Sequence, residues 1–115
     1  MLVKVDETSS APLYEQIAGG LRRAIAEGEV RTGERLPPAK QLAASLDVNM
    51  HTVLKAYSQL RDEGVVEMRR GRGVSVIGPA ADRAELTELA RSLVADARKA
   101  GLSSREILEL VEVQL

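Results

Sequence analysis

The sequence predicts a mainly α-helical fold that carries one small β-hairpin. Apolar residues recur at helical spacing over most of the 115 residues, whereas valines alternate with other residues between residues 65 and 77. The chain contains no Phe or Trp and only two Tyr. Its core must therefore consist of Leu, Val, Ile and Ala, a composition that suits small helical packing better than a large β-sandwich.

A first amphipathic helix is predicted from Leu13 to Glu27. Pro12 is suited to the first turn of a helix, where its missing N–H is no loss, and Gly28 is expected to cap the carboxyl end. The apolar positions lie on one face of this helix, and they are Leu13, Ile17, Ala18, Leu21, Ala24 and Ile25.

Two shorter helices are predicted next. The pair Pro37-Pro38 delays the second helix to Ala39–Leu46, and a tight break at Asp47-Val48 ends it. Asn49 is expected to N-cap the third helix, which runs to about Asp62. Two short helices joined by such a turn form a helix-turn-helix. The positions of the third helix expected to be buried are Val53, Ala56, Tyr57 and Leu60.

A hairpin and a helical tail complete the chain. After Gly64 we expect a strand over residues 65–68, a tight turn over 70–73 and a return strand over 74–77. Gly78-Pro79 marks a boundary, beyond which a helix is predicted from Ala80 to Ala100. A capping box from Ser103 to Glu106 opens a last helix. The predicted domains are residues 1–78 and a two-helix tail, residues 79–115.

Composition limits the function classes. Without Cys the chain forms neither disulfides nor thiolate metal sites. No leader-like N-terminus and no 18-residue apolar stretch occur, so we expect a soluble cytoplasmic protein with no membrane partner. The net charge of −1 is weakly unfavourable for nucleic-acid binding, but its distribution is uneven. Residues 1–78 carry 11 Lys/Arg and 10 Asp/Glu, whereas residues 79–115 carry 5 and 7.

The segment from Val48 to Gly73 carries the main functional prediction. Its helix has a polar amino-terminal end that can enter a groove of DNA, and its hairpin turn holds Arg69, Arg70 and Arg72, which can grip phosphates. Together the helix and the hairpin predict a winged helix-turn-helix that binds DNA. The two helices that follow it are predicted to be a C-terminal dimerisation tail.

From Pro12 to Val76 the sequence resembles the DNA-binding domain of the GntR family of bacterial transcriptional regulators. The matching features are Pro12-Leu13-Tyr14, Gly33 followed by Leu36-Pro37, Leu42-Ala43, Thr52-Val53, Leu60 with Gly64, and Gly71-Arg72-Gly73. The short helical tail and the run from Asn49 to Tyr57 are similar to the YtrA-type subfamily, in which dimerisation helices replace a large effector domain. The resemblance implies a homodimer that binds an inverted-repeat operator.

The chain departs from the family's pattern at two places. Where the family usually has Leu-Pro-Ser-x-Arg, this chain has Leu36-Pro37-Pro38-Ala39-Lys40, so an N-capping serine is lost. Lys40 replaces an arginine that commonly contacts DNA, and lysine does not reproduce a bidentate grip. The turn of the helix-turn-helix commonly carries Gly where this chain has Asp47.

The wing, which is the hairpin turn from Arg69 to Gly73, and the third helix hold most of the candidate DNA contacts. The resemblance places Arg70 and Gly71 at the minor groove or its phosphates. The alternative is that these arginines only solubilise the hairpin tip. On the third helix, the alternative is an ordinary exposed face with Asn49 as a cap only. The complete candidate set is Arg35, Lys40, Asn49, Met50, His51, Thr52, Lys55, Arg69, Arg70, Gly71, Arg72 and Gly73.

Catalysis and metal binding are not expected. His51 is the single histidine, and no Ser/His/Asp set, phosphate-binding glycine loop or metal-ligand spacing occurs. We therefore predict a protein that is not an enzyme and has no cofactor or metal.

The tail is predicted to form a homodimer, because it is too apolar to stay exposed and too short to have much core of its own. Two subunits would then span half-sites about one duplex turn apart on double-stranded DNA. The residues expected at the interface are Leu86, Leu89, Leu93, Val94, Ile107, Leu108 and Val111.

The leading prediction is a sequence-specific DNA-binding transcriptional regulator, expected to be a repressor. The alternative is a winged-helix protein-interaction module that binds no DNA, which would be favoured if Glu63 and Glu67 matched the wing arginines. A small-molecule effector, if there is one, is expected near the dimer interface or in a groove between the tail and the DNA-binding domain.

Overall fold

The structure is a computed structural model that describes residues 3–78 and 80–115, and not the side chain of Ala80. Within these residues the predicted fold class is confirmed: five helices accompany one antiparallel hairpin. Pro79, half of the predicted boundary Gly78-Pro79, lies outside the described residues. The elements are α1 (Leu13–Ala26), α2 (Ala39–Leu46), α3 (Met50–Asp62), β1 (Val66–Arg69), β2 (Gly73–Val76), α4 (Ala80–Lys99) and α5 (Ser104–Glu112).

The chain divides into two compact units, a first that ends at Glu85 and a second, Leu86–Leu115. In the first unit α3 packs against α1, α2 and β1. Ala84 is fully buried in the same core, which is why this unit includes the first turns of α4. The largest fully buried apolar side chains come from α1, α3 and the hairpin: Ile17, Leu21, Ile25, Val53, Tyr57, Leu60, Val65, Val66 and Val76.

The helix ends follow local chemistry. Asn49 caps α3 as predicted, since its Oδ1 accepts from the backbone N–H of His51 at 2.8 Å. Ser103 and Glu106 form the predicted capping box, and the backbone hydrogen bond from Ser103 lowers the pKa of the Glu106 carboxyl. Pro38 precedes α2 without any side-chain capping bond, as the lost serine predicts.

Helix α2 spans Ala39–Leu46 as predicted, whereas the bounds of α1, α4 and both strands differ from the predictions by one residue. Helix α1 ends at Ala26, because Glu27 is the C-cap and Gly28 follows with φ 80°. Strand β1 runs from Val66 to Arg69 and β2 from Gly73 to Val76, with Val66 opposite Val76 and Arg69 opposite Gly73. Helix α4 ends at Lys99, one residue short of its predicted end, and α5 ends at Glu112.

A segment that pairs with the second edge of β2, residues 33–36, was not predicted. The N–H of Gly33 donates to the carbonyl of Val76 at 2.7 Å, and that of Leu36 donates to the carbonyl of Val74 at 2.8 Å. Arg35 forms an isolated antiparallel bridge with Ser75. Strand β2 is therefore hydrogen-bonded along both edges, and Arg35 is fixed beside the hairpin.

Candidate DNA-binding surface

The predicted recognition residues lie at the exposed amino-terminal end of α3. His51 and Lys55 are exposed, Thr52 is half-buried, and Met50 keeps 39% of its surface accessible. Val53, which lies between them in sequence, and Ala56, which follows Lys55, are fully buried and hold this end of the helix on the core. Asn49 is exposed, but its side-chain oxygen is engaged by the cap. The arrangement leaves polar groups of α3 directed to solvent, as groove entry requires.

Tyr14 is a functional candidate that sequence reasoning treated only as part of the family match. The ammonium of Lys55 lies 4.0 Å from the centroid of the Tyr14 ring, within the range of a cation–π contact. Tyr14 also lines a surface depression with His51, Thr52 and Lys55. The start of α1 therefore shapes the surface beside the amino-terminal end of α3, and the ring restricts the position of the Lys55 charge.

The hairpin presents its three clustered arginines to solvent. Arg69, Arg70 and Arg72 are all exposed, and the Nε of Arg69 pairs with Oε1 of Glu67 at 3.1 Å. Among the described residues, no carboxylate forms a salt bridge with Arg70 or Arg72. Gly71 and Gly73 have φ near 78°, a conformation that L side chains rarely adopt, so the turn depends on glycine there. The wing therefore carries two cations without a carboxylate partner at its tip.

Arg35 and Lys40 are exposed residues near the wing and at the start of α2. Arg35, Ala39 and the wing arginines line one cavity of about 690 Å³, so the wing, residues 33–36 and the start of α2 meet there. Lys40 is on the first turn of α2, whose free N–H groups give this end a partial positive charge. The structure thus places Arg35 beside the wing. Lys40 lies on the first turn of α2, which borders the same cavity.

Two polar contacts hold α3 in place. The hydroxyl of Tyr57 donates to the backbone carbonyl of Pro37 at 2.6 Å, which joins α3 to the segment before α2. Burial raises the pKa of Tyr57 to about 12, so this donor keeps its proton at neutral pH. At the other end, Arg22 of α1 forms a bidentate ion pair with Glu63, the C-cap of α3. These contacts fix the helix that presents the candidate residues.

The second unit exposes most of its predicted interface residues. Leu86 and Leu89 are 63% and 60% accessible, and Leu108 is 70% accessible. Leu93, Val94 and Val111 are also exposed. Ile107 is the exception: only 7% of its surface is accessible, so the chain itself already covers it. A residue that is buried within one chain has little surface left to offer a partner, and the place of Ile107 in the interface stays a prediction.

Within the described ranges, no helix is both long and apolar enough to cross a membrane. The same ranges contain no cluster of three or more His, Cys, Asp or Glu side chains that could hold a metal ion.

Comparison with known proteins identifies the family. Residues 13–76 match the family model described as bacterial regulatory proteins, gntR family. Over 117 aligned residues the chain is 31% identical to the HTH-type transcriptional repressor YtrA of Bacillus subtilis, covering 96% of this chain and 90% of that protein. The solved structure of YtrA from Sulfolobus acidocaldarius, a GntR-family transcription factor, is 35% identical with a TM-score of 0.64, covering 96% and 93%.

A DNA complex has the same fold. Streptococcus agalactiae BusR, solved with its busAB-promotor DNA, aligns with a TM-score of 0.60 at 21% identity, covering 90% of this chain and 53% of that one. The family match spans more than half of the chain, and the similarity to YtrA extends through the tail. The chain therefore belongs to the GntR family of bacterial regulatory proteins, which are DNA-binding transcriptional regulators.

Proposed function

We propose that this protein is a homodimeric transcriptional repressor that binds an inverted-repeat operator in the cytoplasm. Arg70 and Arg72 carry the proposal, because no carboxylate in the described part of the chain pairs with them and they lie on the hairpin that follows α3. Phosphates are the partners that such exposed arginines fit. The Bacillus subtilis relative is named a repressor, which supports repression and not activation.

In this proposal the amino-terminal end of α3 and the wing have different roles in recognition. Met50, His51, Thr52 and Lys55 at the start of α3 read base edges in the major groove. The wing, from Arg69 to Gly73, contacts the phosphates or the minor groove, and Arg35 and Lys40 add further phosphate contacts. Asn49 acts mainly through its cap on α3, since its side-chain oxygen already accepts the N–H of His51.

The first unit acts as the DNA-binding domain and the second as the dimerisation tail. Leu86, Leu89 and Leu108 are each at least 60% accessible, which is an unfavourable exposure for residues of one short tail. Pairing with a second copy of the chain would cover them, together with Leu93, Val94 and Val111. A symmetric dimer then presents two equivalent DNA-binding surfaces to two half-sites.

The alternative is a protein-interaction module, and the charges of the wing weigh against it. Glu67 pairs with Arg69, but Glu63 is engaged by Arg22 and not by the wing. Only one of the three clustered arginines therefore has an acidic partner among the residues described. A wing whose charge were neutralised internally would suit a protein partner better than DNA.

Selection of bound sequences from random duplex DNA tests the proposal. We expect the selected sequence to be palindromic and to bind two chains. Its affinity for the protein should fall by roughly tenfold or more between 50 and 200 mM salt. Leu89→Glu should give a monomer that keeps its helical content but binds the operator at least tenfold more weakly. Failure of the folded, dimeric protein to enrich any duplex would overturn DNA recognition. Enrichment of a site bound by one chain would overturn the dimer.

A further inference from the structure

We propose that the cavity between the wing and the start of α2 binds an amphipathic anion, a molecule with an apolar body and a carboxylate head, which competes with DNA. The site lies entirely within the first unit. The inference that the ligand regulates DNA binding rests on the proposed function, whereas ligand binding itself does not.

The floor of the cavity is apolar. Leu36, Leu54, Met68 and Val74 line it, and the volume is about 690 Å³. Small-molecule sites usually occupy roughly 300–1,000 Å³ and are lined mainly by apolar side chains with a few convergent polar groups. Leu54 and Met68 are half-buried, so they offer apolar surface that the fold has not covered. This surface fits hydrocarbon.

The rim of the same cavity is cationic. Arg35, Arg69, Arg70 and Arg72 all line it, and none of its fourteen lining residues is Asp or Glu. Glu67 engages Arg69 at 3.1 Å, which leaves the other three without a salt bridge to any described carboxylate. Arginine binds a carboxylate through two parallel N–H groups, so the rim selects an anionic head.

The start of α2 adds a second source of positive charge. Ala39, its first residue, lines the cavity, and no side chain caps this end because Pro38 stands at the N-cap position. The exposed N–H groups of the first turn favour an anion. The departure from the family's serine thus leaves free the backbone donors that a bound head group can use.

DNA alone does not account for this chemistry. Phosphates pair with the arginines of the rim, but they gain nothing from a floor of leucine, valine and methionine. An anion with a hydrocarbon body uses both parts. Since it would engage Arg70 and Arg72, it would remove the cations that the wing offers to the DNA backbone, and the regulator would be released.

Calorimetric titration of the full chain with dodecanoate, below the concentration at which micelles form and without DNA, tests the binding. We expect saturable binding with one site per chain. Dodecyltrimethylammonium, which has the same tail and a cationic head, should bind at least tenfold more weakly. Equal affinity for dodecanoate and dodecyltrimethylammonium, or no saturable binding of dodecanoate, would overturn the proposal.

Variants separate the floor from the rim. Met68→Gln keeps the length of the side chain but adds a polar group to the floor, and Arg70→Ala/Arg72→Ala removes two cations from the rim. Each should weaken dodecanoate binding at least tenfold. Arg23→Ala/Arg31→Ala, which removes two exposed cations of the same unit outside this cavity, is the matched control and should bind as the wild type does. Thermal unfolding establishes that each variant is folded.

Amide chemical shifts locate the ligand independently of the variants. Dodecanoate should shift Leu54, Met68, Gly71 and Val74 and leave Leu89 and Leu108 of the tail unchanged. Shifts confined to the tail would overturn the assignment and return the site to the expected position near the dimer interface. On the operator, dodecanoate should raise the apparent Kd for DNA in inverse proportion to the fraction of protein that it leaves unoccupied. If DNA binding is unchanged when dodecanoate saturates its site, the proposed competition is overturned but the ligand site is not.

Discussion

Arg22 of α1 and Glu63 at the carboxyl end of α3 form a bidentate ion pair, with Nε and Nη2 each 2.7 Å from a carboxylate oxygen. The Arg22 side chain is 1% accessible and that of Glu63 is 14% accessible. Gln59 donates to the same carboxylate at 3.2 Å. A buried charge is tolerated only with such partners, so this pair makes the orientation of α3 depend on α1.

Replacing Glu63 should therefore destabilise the first unit. Glu63→Gln keeps the shape of the side chain but leaves the buried guanidinium without its carboxylate, and we expect the free energy of unfolding to fall by about 2–4 kcal/mol. Urea denaturation measures this loss. The control is Glu109→Gln, which breaks an exposed surface pair with Arg105 at 4.0 Å and should change stability by less than about 0.5 kcal/mol. Equal losses in the two variants would contradict a structural role for the buried pair.

Tyr57 should make the fold sensitive to alkaline pH. Its folded pKa is about 12, above the ordinary value of 10.0, so the folded state holds this proton more tightly than the unfolded state does. The stabilisation is complete below pH 10 and is lost as the pH rises towards 12. Between pH 10 and pH 12 the free energy of unfolding of the wild type should fall by about 2–3 kcal/mol more than that of Tyr57→Phe, because phenylalanine has no proton to release.

Stability measured by denaturation at several alkaline pH values would reveal this difference in slope. Tyr57→Phe should start about 1 kcal/mol less stable at neutral pH, because the carbonyl of Pro37 loses its donor. Parallel pH profiles for the two proteins would show that Tyr57 is not the responsible group.

Asp47 occupies a position better suited to glycine. Its φ of 55° lies in the left-handed region, where a side chain is strained. Asp47→Gly should raise the free energy of unfolding by about 0.5–1 kcal/mol, as relief of strain exceeds the added entropy of the unfolded chain. Asp47→Ala is the comparison, because alanine keeps the strain without the local polar contacts that aspartate can make. An alanine variant as stable as the glycine variant would rule out strain at this turn.

The wing arginines should contribute through phosphate charge and not through sequence. Arg70→Ala/Arg72→Ala is expected to weaken binding to every duplex and to reduce the slope of log K against log salt by about 2. Arg23→Ala/Arg31→Ala removes the same charge elsewhere in the unit and should leave the slope within about 0.5 of the wild-type value. Fluorescence anisotropy at four salt concentrations measures both slopes. An unchanged slope in the wing variant would exclude the phosphate contacts.

Tyr14 should affect DNA binding through Lys55. The ring lies under the ammonium at 4.0 Å and restricts it to the surface beside α3. A double-mutant cycle of Tyr14→Leu and Lys55→Ala should give a coupling of about 0.5–1 kcal/mol in DNA affinity. After Lys55→Ala, the further change Tyr14→Leu should have little effect on binding. Strictly additive losses would show that Tyr14 contacts DNA independently or only supports the fold.

Much of the architecture was readable from periodicity and local chemistry. The stripe on α3, the cap at Asn49 and the box from Ser103 to Glu106 all depend on residues within a few positions of one another. The helical and hairpin patterns, together with the family's motifs, predicted a winged helix-turn-helix, and the structure and the comparisons confirm it. The candidate DNA contacts were also chosen from sequence, and their roles stay predictions.

Only the tertiary structure showed the contacts between residues far apart in sequence. Periodicity does not reveal that Arg22 meets Glu63, that Lys55 lies over Tyr14, or that residues 33–36 complete the edge of β2. It likewise did not reveal the cavity in which the wing arginines face an apolar floor, or that Ile107 is already buried. Sequence patterns record the local preferences of the chain, whereas ion pairs, ring contacts and cavities depend on which distant surfaces the packed core brings together.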